Sequence, residues 1–172
     1  MDLSILYAID SIHNNVLDNI MKTITILGDA GILWIVIALI LLFRVKTRKC
    51  GILIITAMVI GLIIGNVILK NLIARPRPFS LDESIQLLIP KPVDYSFPSC
   101  HTMVSFEAAI IIFLNNKKWG MIAIATAILI GFSRMYLFVH YPSDVLFGAI
   151  LGSIIAIIVF YGSNKYRKIR FS

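Results

Sequence analysis

The sequence predicts an all-α protein, a polytopic membrane helix bundle of five or six spans with an amphipathic N-terminal segment. Two observations carry this. Of 172 residues, 59% are hydrophobic and only 15% are charged, whereas a soluble domain carries about 25% charged residues. The apolar residues also gather in runs of bilayer-crossing length: Gly51 to Leu69 is nineteen residues without a charge, against the roughly 20 that a span requires. The mean hydropathy is +0.91. The length suits one domain, residues 1–172.

Residues 1–28 differ from the rest. Leu6, Ile9, Val16, Leu17, Ile20, Met21 and Ile24 recur at helical spacing, but Asp10, His13, Asn14, Asn15, Asp18 and Lys22 interrupt any spanning run. This pattern predicts one or two amphipathic helices in the outer interface, broken near His13–Asn15. A sixth, tilted crossing by this segment is the alternative. No basic region precedes the apolar part, so a signal peptide is not expected.

The spans follow in order. The first covers Ala30 to Phe43, starting near Ile26 with Asp29 capping or facing the interface at its mouth; the second covers Gly51 to Leu69. Thr102 to Leu114 is short and carries Glu107; Trp119 to Ser133 continues through Met135–Val139, with Trp119 as an interfacial anchor; Val145 to Gly162 is the last. Residues 44–49, 115–118 and 164–170 hold ten of the sixteen Lys and Arg. The alternation of spans puts all three segments on one side, which the positive-inside rule makes cytoplasmic. The net charge of +7 thus reads as topology and attraction to anionic headgroups, not as nucleic-acid binding. Residues 70–98 then form an outer loop, and Arg134 to Ser143 a short outer link. Cys50 and Cys100 fall on opposite sides, which excludes a disulfide between them. His13, His101 and His140 lack the spacing of a metal site, and no Gly-rich nucleotide loop is present, so neither metal nor cofactor is expected.

The polar residues of the outer side cluster at span ends. Lys70, Arg75 and Arg77 end the second span, Ser99 and His101 begin the third, Arg134 ends the fourth, and His140 and Asp144 begin the fifth. Packed side by side, these ends predict one pocket with several cations, two imidazoles, a hydroxyl and a carboxylate. Forked guanidiniums match phosphate oxygens. Pro98 suits the first position of the third helix, which would turn the amides of Ser99, Cys100 and His101 toward an anion. Asp144, four residues after His140, can hold one ring nitrogen and leave the other as nucleophile, with His101 as proton carrier for the leaving group. Glu107 lies about two turns inside its span on the His101 side. An intramembrane carboxylate is a functional candidate by default, here to pair with a cation under the pocket or to admit a headgroup; a helix-to-helix hydrogen bond is the structural alternative.

Lys70 with six residues before Arg77–Pro78, then Pro98-Ser99-Cys100-His101, then Ser133–Arg134 with five residues before His140 and three more before Asp144, resembles the three-part signature of type 2 phosphatidic acid phosphatases. These PAP2 lipid phosphatases share a core with vanadium haloperoxidases. The resemblance implies a PAP2-like helical core and a metal-independent lipid phosphatase. In it His140 would form a phosphohistidine, Asp144 would orient His140, and His101 would protonate the leaving oxygen. Lys70, Arg77, Ser99 and Arg134 would hold the phosphoryl oxygens beside Cys100; Arg75 and Glu107 are accessory candidates. It implies a substrate such as undecaprenyl diphosphate, phosphatidylglycerol phosphate or phosphatidate, with the site facing outside the plasma membrane and no required protein partner. The loop from Ser80 to Tyr95, with Asp82, Glu83 and Lys91, is expected to cover the site. One position departs from the signature: Cys100 stands where the family has glycine. If the backbone there needs a positive φ, the chain is an impaired lipid-phosphate binder; with a negative φ, cysteine is tolerable.

Overall fold

The computed structural model describes residues 2–82 and 84–170, the side chains of 165–170 excepted; Glu83 and most of the last basic segment therefore lie outside the described side chains. The elements are α1 (Asp2–Asp10), α2 (Asn15–Gly28), α3 (Ile32–Leu42), α4 (Arg48–Gly61), α5 (Lys70–Ile73), α6 (Cys100–Asn115), α7 (Lys117–Tyr136) and α8 (Pro142–Arg170). The amphipathic segment breaks where expected. Asn14 caps α2, its side chain accepting from the amides of Val16 and Leu17 at 3.1 and 3.0 Å.

Among the described residues, four stretches are long and apolar enough to cross a membrane: Asn15–Leu42, Arg48–Ser80, Lys117–Tyr136 and Pro142–Asn164. The expected five or six spans are corrected in two places. α2 runs into α3 through a single 3-10 turn at Asp29–Gly31, where Ala30 and Gly31 take positive φ, so the amphipathic segment and the first apolar run form one kinked stretch. α6 is apolar but only 16 residues long. It needs little lipid-facing length because it packs against α7 and α8, with Met103, Ala108, Ala109 and Ile111 buried. α7 also ends sooner than expected, at Tyr136, and residues 137–141 form a turn. Outside the bundle, Ile40, Leu62, Ile63, Val67 and Leu72 are exposed, an apolar surface suited to lipid.

Three local features set the bundle's geometry. α4 passes directly into a π-helical stretch, Leu62–Leu69, before the short α5. On α8, Gly148 and Gly152 lie four residues apart against the start of α6; a Cβ on Gly148 would meet the Ser99 carbonyl oxygen at 2.7 Å. Such small-residue pairs let membrane helices approach at backbone distance. Under these, the Trp34 indole donates to Ser105 Oγ at 2.9 Å, and Ser105 donates to the His101 carbonyl at 2.7 Å, tying α3 to α6 below the site. The basic ends also converge. Lys49 Nζ donates to Asn164 Oδ1 at 2.5 Å, and Arg44, Lys46, Asn116 and Trp119 line one cavity at that end.

Candidate active site

At the opposite end, α5 stops because Ala74 enters the left-handed region at φ 46°. That turn redirects the chain so that Arg75 and Arg77 follow Lys70 back over the helix ends. Lys70 and Arg77 are buried, and both grip Asp94 of the outer loop. Lys70 Nζ bonds the Asp94 carboxylate, Arg77 Nη2 donates to Asp94 Oδ1 at 2.5 Å, and Arg77 Nε donates to the Asp94 carbonyl at 2.8 Å. Partial burial opposes ionisation of Asp94, but the bonds from Lys70 and Arg77 outweigh it and pull its pKa down to about 2.

His140 sits in the turn between α7 and α8. The amides of Val139 and His140 point back at the Arg134 carbonyl, at 3.2 and 3.3 Å. Phe138, two residues earlier, takes φ 56° to make this turn. A left-handed non-glycine residue costs of order 1 kcal/mol and persists only where its surroundings enforce it; here Phe138 is packed among Leu6, Phe79 and Tyr141. His140 is 1% exposed. Its Nε2 lies 3.2 Å from Arg77 Nη1, and its Nδ1 lies 3.6 Å from Asp144 Oδ2, just beyond bonding distance. Burial drives the imidazole pKa well below its ordinary value, so the ring is neutral and keeps a lone pair at physiological pH.

Asp144 is itself held from three sides. Its carboxylate accepts from Ser96 Oγ, from the Tyr141 amide at 3.0 Å and from Arg75 Nη1 at 2.5 Å, beside His140. Arg75 also donates to Ser143 Oγ at 2.8 Å and to Asp2 of α1 at 2.9 Å, and it stacks on Tyr141 at 3.7 Å. Arg75 thus braces Asp144 and does not reach the pocket.

The third wall is the start of α6. The helix begins at Cys100, so Pro98 stands two residues before the first helical position rather than in it. The Ser99 amide is spent on the Asp144 carbonyl at 3.2 Å. The first intrahelical bond runs from the Met103 amide to the Ser99 carbonyl at 2.9 Å, leaving the amides of Cys100, His101 and Thr102 ahead of it. Ser99 Oγ faces Thr102 Oγ1 at 3.0 Å and is fully buried. Cys100 is not among the residues with positive φ; its thiol lies 3.4 Å from Asn66 Oδ1. His101 Nε2 pairs with Asp29 Oδ1 at 2.8 Å, and buried Arg134 bonds Thr25 of α2.

These walls enclose a cavity of about 740 Å³, lined by Lys70, Arg77, Cys100, His101, Arg134 and His140 among others. Six of the ten candidates therefore share one space, with Asp144 and Ser99 behind them. Glu107 does not join them. It is fully buried and packs against Gly61 of α4, where a Cβ would overlap it; among the described residues neither carboxylate oxygen has a partner, so neither the expected cation pairing nor the alternative helix-to-helix hydrogen bond is formed. The outer loop does roof the cavity, through Leu88, Ile89, Pro90 and Pro92, while Lys91 lies over the Phe79 ring instead. Sequence reasoning missed Asp94, Ser96, Thr25 and Asp2; Asp29 does cap α2 as expected, but its pairing with His101 was missed. Asp29, a carboxylate at the mouth of an apolar run, was the only one of these with a signal of its own.

A helical membrane bundle whose helix ends gather Lys70, Arg77, His101, Arg134 and His140 in this order defines a PAP2-type protein. The chain belongs to the PAP2 superfamily, whose profile matches residues 50–168. It is 40% identical over 121 residues to an undecaprenyl-diphosphatase of Sulfolobus acidocaldarius, covering 70% of this chain and 58% of that relative. It is 34% identical over 155 residues to undecaprenyl-diphosphatase BcrC of Bacillus subtilis, covering 90% of this chain and 79% of the relative. The crystal structure of a transmembrane PAP2-type phosphatidylglycerolphosphate phosphatase from Bacillus subtilis superposes with a TM-score of 0.78 at 29% identity, over 95% of this chain and 85% of that one. The chain is thus an integral membrane protein with the PAP2 fold, and it spans less than two thirds of the length of the first of these relatives.

Proposed function

We propose that residues 1–172 act as one catalytic domain that hydrolyses a phosphomonoester or diphosphate on a lipid through a phosphohistidine, at the outer face of the plasma membrane. The observation that carries this is His140: a neutral, buried imidazole with Nε2 beside Arg77, at the wall of a cavity that Lys70 and Arg134 also line. Nε2 attacks phosphorus as the bond to the leaving oxygen breaks, and Lys70, Arg77 and Arg134 neutralise the equatorial oxygens. His101 delivers the proton to the leaving oxygen, with Asp29 holding its ring. Water then takes the phosphoryl group, and His140 is restored. Asp144 closes on Nδ1 as positive charge develops on the ring. Phosphate displaces the Asp94 carboxylate from Lys70 and Arg77.

The outward orientation rests on the basic helix ends lying opposite the cavity. The named activities of the relatives support undecaprenyl diphosphate and phosphatidylglycerol phosphate as the substrates to test first, with phosphatidate third. The impaired-binder reading loses its main support, because Cys100 begins a helix without a positive φ. Phosphate release by purified protein from these three lipids tests the proposal. His140→Ala is expected to fall to background, and retained turnover overturns the assignment. His101→Ala is expected to lose less on p-nitrophenyl phosphate than on a lipid alkyl phosphate, since a good leaving group needs little protonation.

A further inference from the structure

We infer that Lys22 of α2 is a specificity-determining residue that holds the leaving phosphate of a lipid diphosphate; this rests on the phosphatase reading above. α2 presents Lys22, Thr25 and Ile26 to the cavity, Asp29 follows directly at its C-cap, and all four line the cavity. Their spacing of three, four and seven residues from Lys22 makes them one helical stripe. The stripe touches the reaction machinery at two points. Thr25 bonds Arg134, which faces the phosphoryl oxygens, and Asp29 pairs with His101, which faces the leaving oxygen. This face of α2 is therefore the leaving-group wall.

Lys22 lies one turn before Thr25 on that wall. It is half-buried, and among the described residues it has no carboxylate partner, whereas Lys70 is tied to Asp94. An unpaired ammonium on a cavity wall in a membrane protein is a functional feature by default. The cations elsewhere in the pocket are committed to the phosphorus under attack. A phosphomonoester leaves as an alkoxide that needs a proton and no second cation. A diphosphate leaves differently. The His140 Nε2–P bond forms, the bond from that phosphorus to the bridging oxygen breaks, and the bridging oxygen departs with the lipid monophosphate. The second negative phosphate then needs a counter-charge more than a proton, and Lys22 supplies it. Water attacks the phosphohistidine to release orthophosphate and regenerate the imidazole.

The test compares two lipids of identical tail, farnesyl diphosphate and farnesyl phosphate, with the full chain in detergent. A charge-assisted bond to a phosphate that strengthens as the bridge breaks sets the scale of the effect. Lys22→Met is expected to lower the diphosphate-to-monophosphate ratio of kcat/KM about 10- to 100-fold, and Lys22→Arg to restore most of it. A ratio that moves less than about threefold in Lys22→Met overturns the inference. Unchanged activity would assign Lys22 to lipid headgroups, and equal loss on both substrates would assign it to the fold. His140→Ala, run beside them, separates the two claims. If wild type exceeds His140→Ala on neither substrate, the phosphatase reading fails and not merely the role of Lys22.

Discussion

In the proposed reaction Asp94 occupies the place the phosphate takes, and removing its charge has a calculable result. Its carboxylate spans Lys70 and Arg77, the cations that would take two phosphoryl oxygens. A charge-assisted bond contributes about 1.5–3 kcal/mol when buried and an exposed ion pair about 0.2–1 kcal/mol. The Asp94 side chain is 48% exposed while its partners are 7% and 5% exposed. Discounted for that screening, the two contacts together come to about 1–2 kcal/mol, which a phosphate must repay to enter. Asp94→Asn keeps the shape and removes the charge. It is expected to lower the inhibition constant of orthovanadate by about five- to thirtyfold, at 1.4 kcal/mol per tenfold. The carboxyl's pKa of about 2 means that wild type competes undiminished across the neutral range, so the ratio of the two constants stays flat from pH 6 to 8. The assay is vanadate inhibition of p-nitrophenyl phosphate turnover in both proteins. An unchanged or larger constant in folded Asp94→Asn would refute the view that Asp94 and phosphate share one place.

Two further outcomes follow from contacts in the bundle. Cys100→Gly is expected to keep or raise kcat/KM, by up to about tenfold or roughly 1.4 kcal/mol, because the thiol is a weak donor and the backbone there tolerates a side chain; a large loss with intact folding would give the thiol a chemical role. Gly148→Leu is expected to cost about a hundredfold or more in kcat, since its Cβ meets the Ser99 carbonyl oxygen at 2.7 Å and must push the turn carrying His140 away from α6. Gly162→Leu, with nothing within 4 Å among the described residues, is the matched control, and equal loss in both would sink the geometric argument.

The signature residues were legible because their chemistry is rare in such a chain. A cation or imidazole at the end of an apolar run has few other uses, and Lys70, Arg77, His101, Arg134 and His140 met in the cavity as expected. Boundaries were less legible. Hydropathy marks the length that lipid can cover, so α6, flanked by α7 and α8, was counted as a span although its 16 residues fall short. The kink at Ala30 joins two stretches that differ in polarity, and polarity was the only cue for separating them. The bracing residues were the least legible. Asp2, Thr25, Asp94 and Ser96 are ordinary polar residues in an interfacial helix or loop, and their roles arise from partners up to 141 positions away, as with Asp2 and Ser143. Their spacing along the chain carries no trace of that. Glu107 shows the opposite error, a polar residue whose prominence in sequence exceeded its part in the cavity.

The π-helical stretch between α4 and α5 acts as a phase adjuster. Each helical residue turns its successors by about 100°. The wider turn at Leu62–Leu69 absorbs what amounts to one extra residue between two faces that must both be satisfied. Below it, Gly61 must lie against Glu107 on α6; above it, Lys70 must point at the cavity. A regular α-helix of the same sequence could align one of these faces and not the other. Gain of one further residue between Gly65 and Leu69 would leave every apolar contact type available and the span longer still. It would nevertheless swing Lys70 roughly a quarter-turn out of the pocket, toward lipid. The azimuth of a helix, and not only its length and polarity, is therefore among the things this segment has to encode.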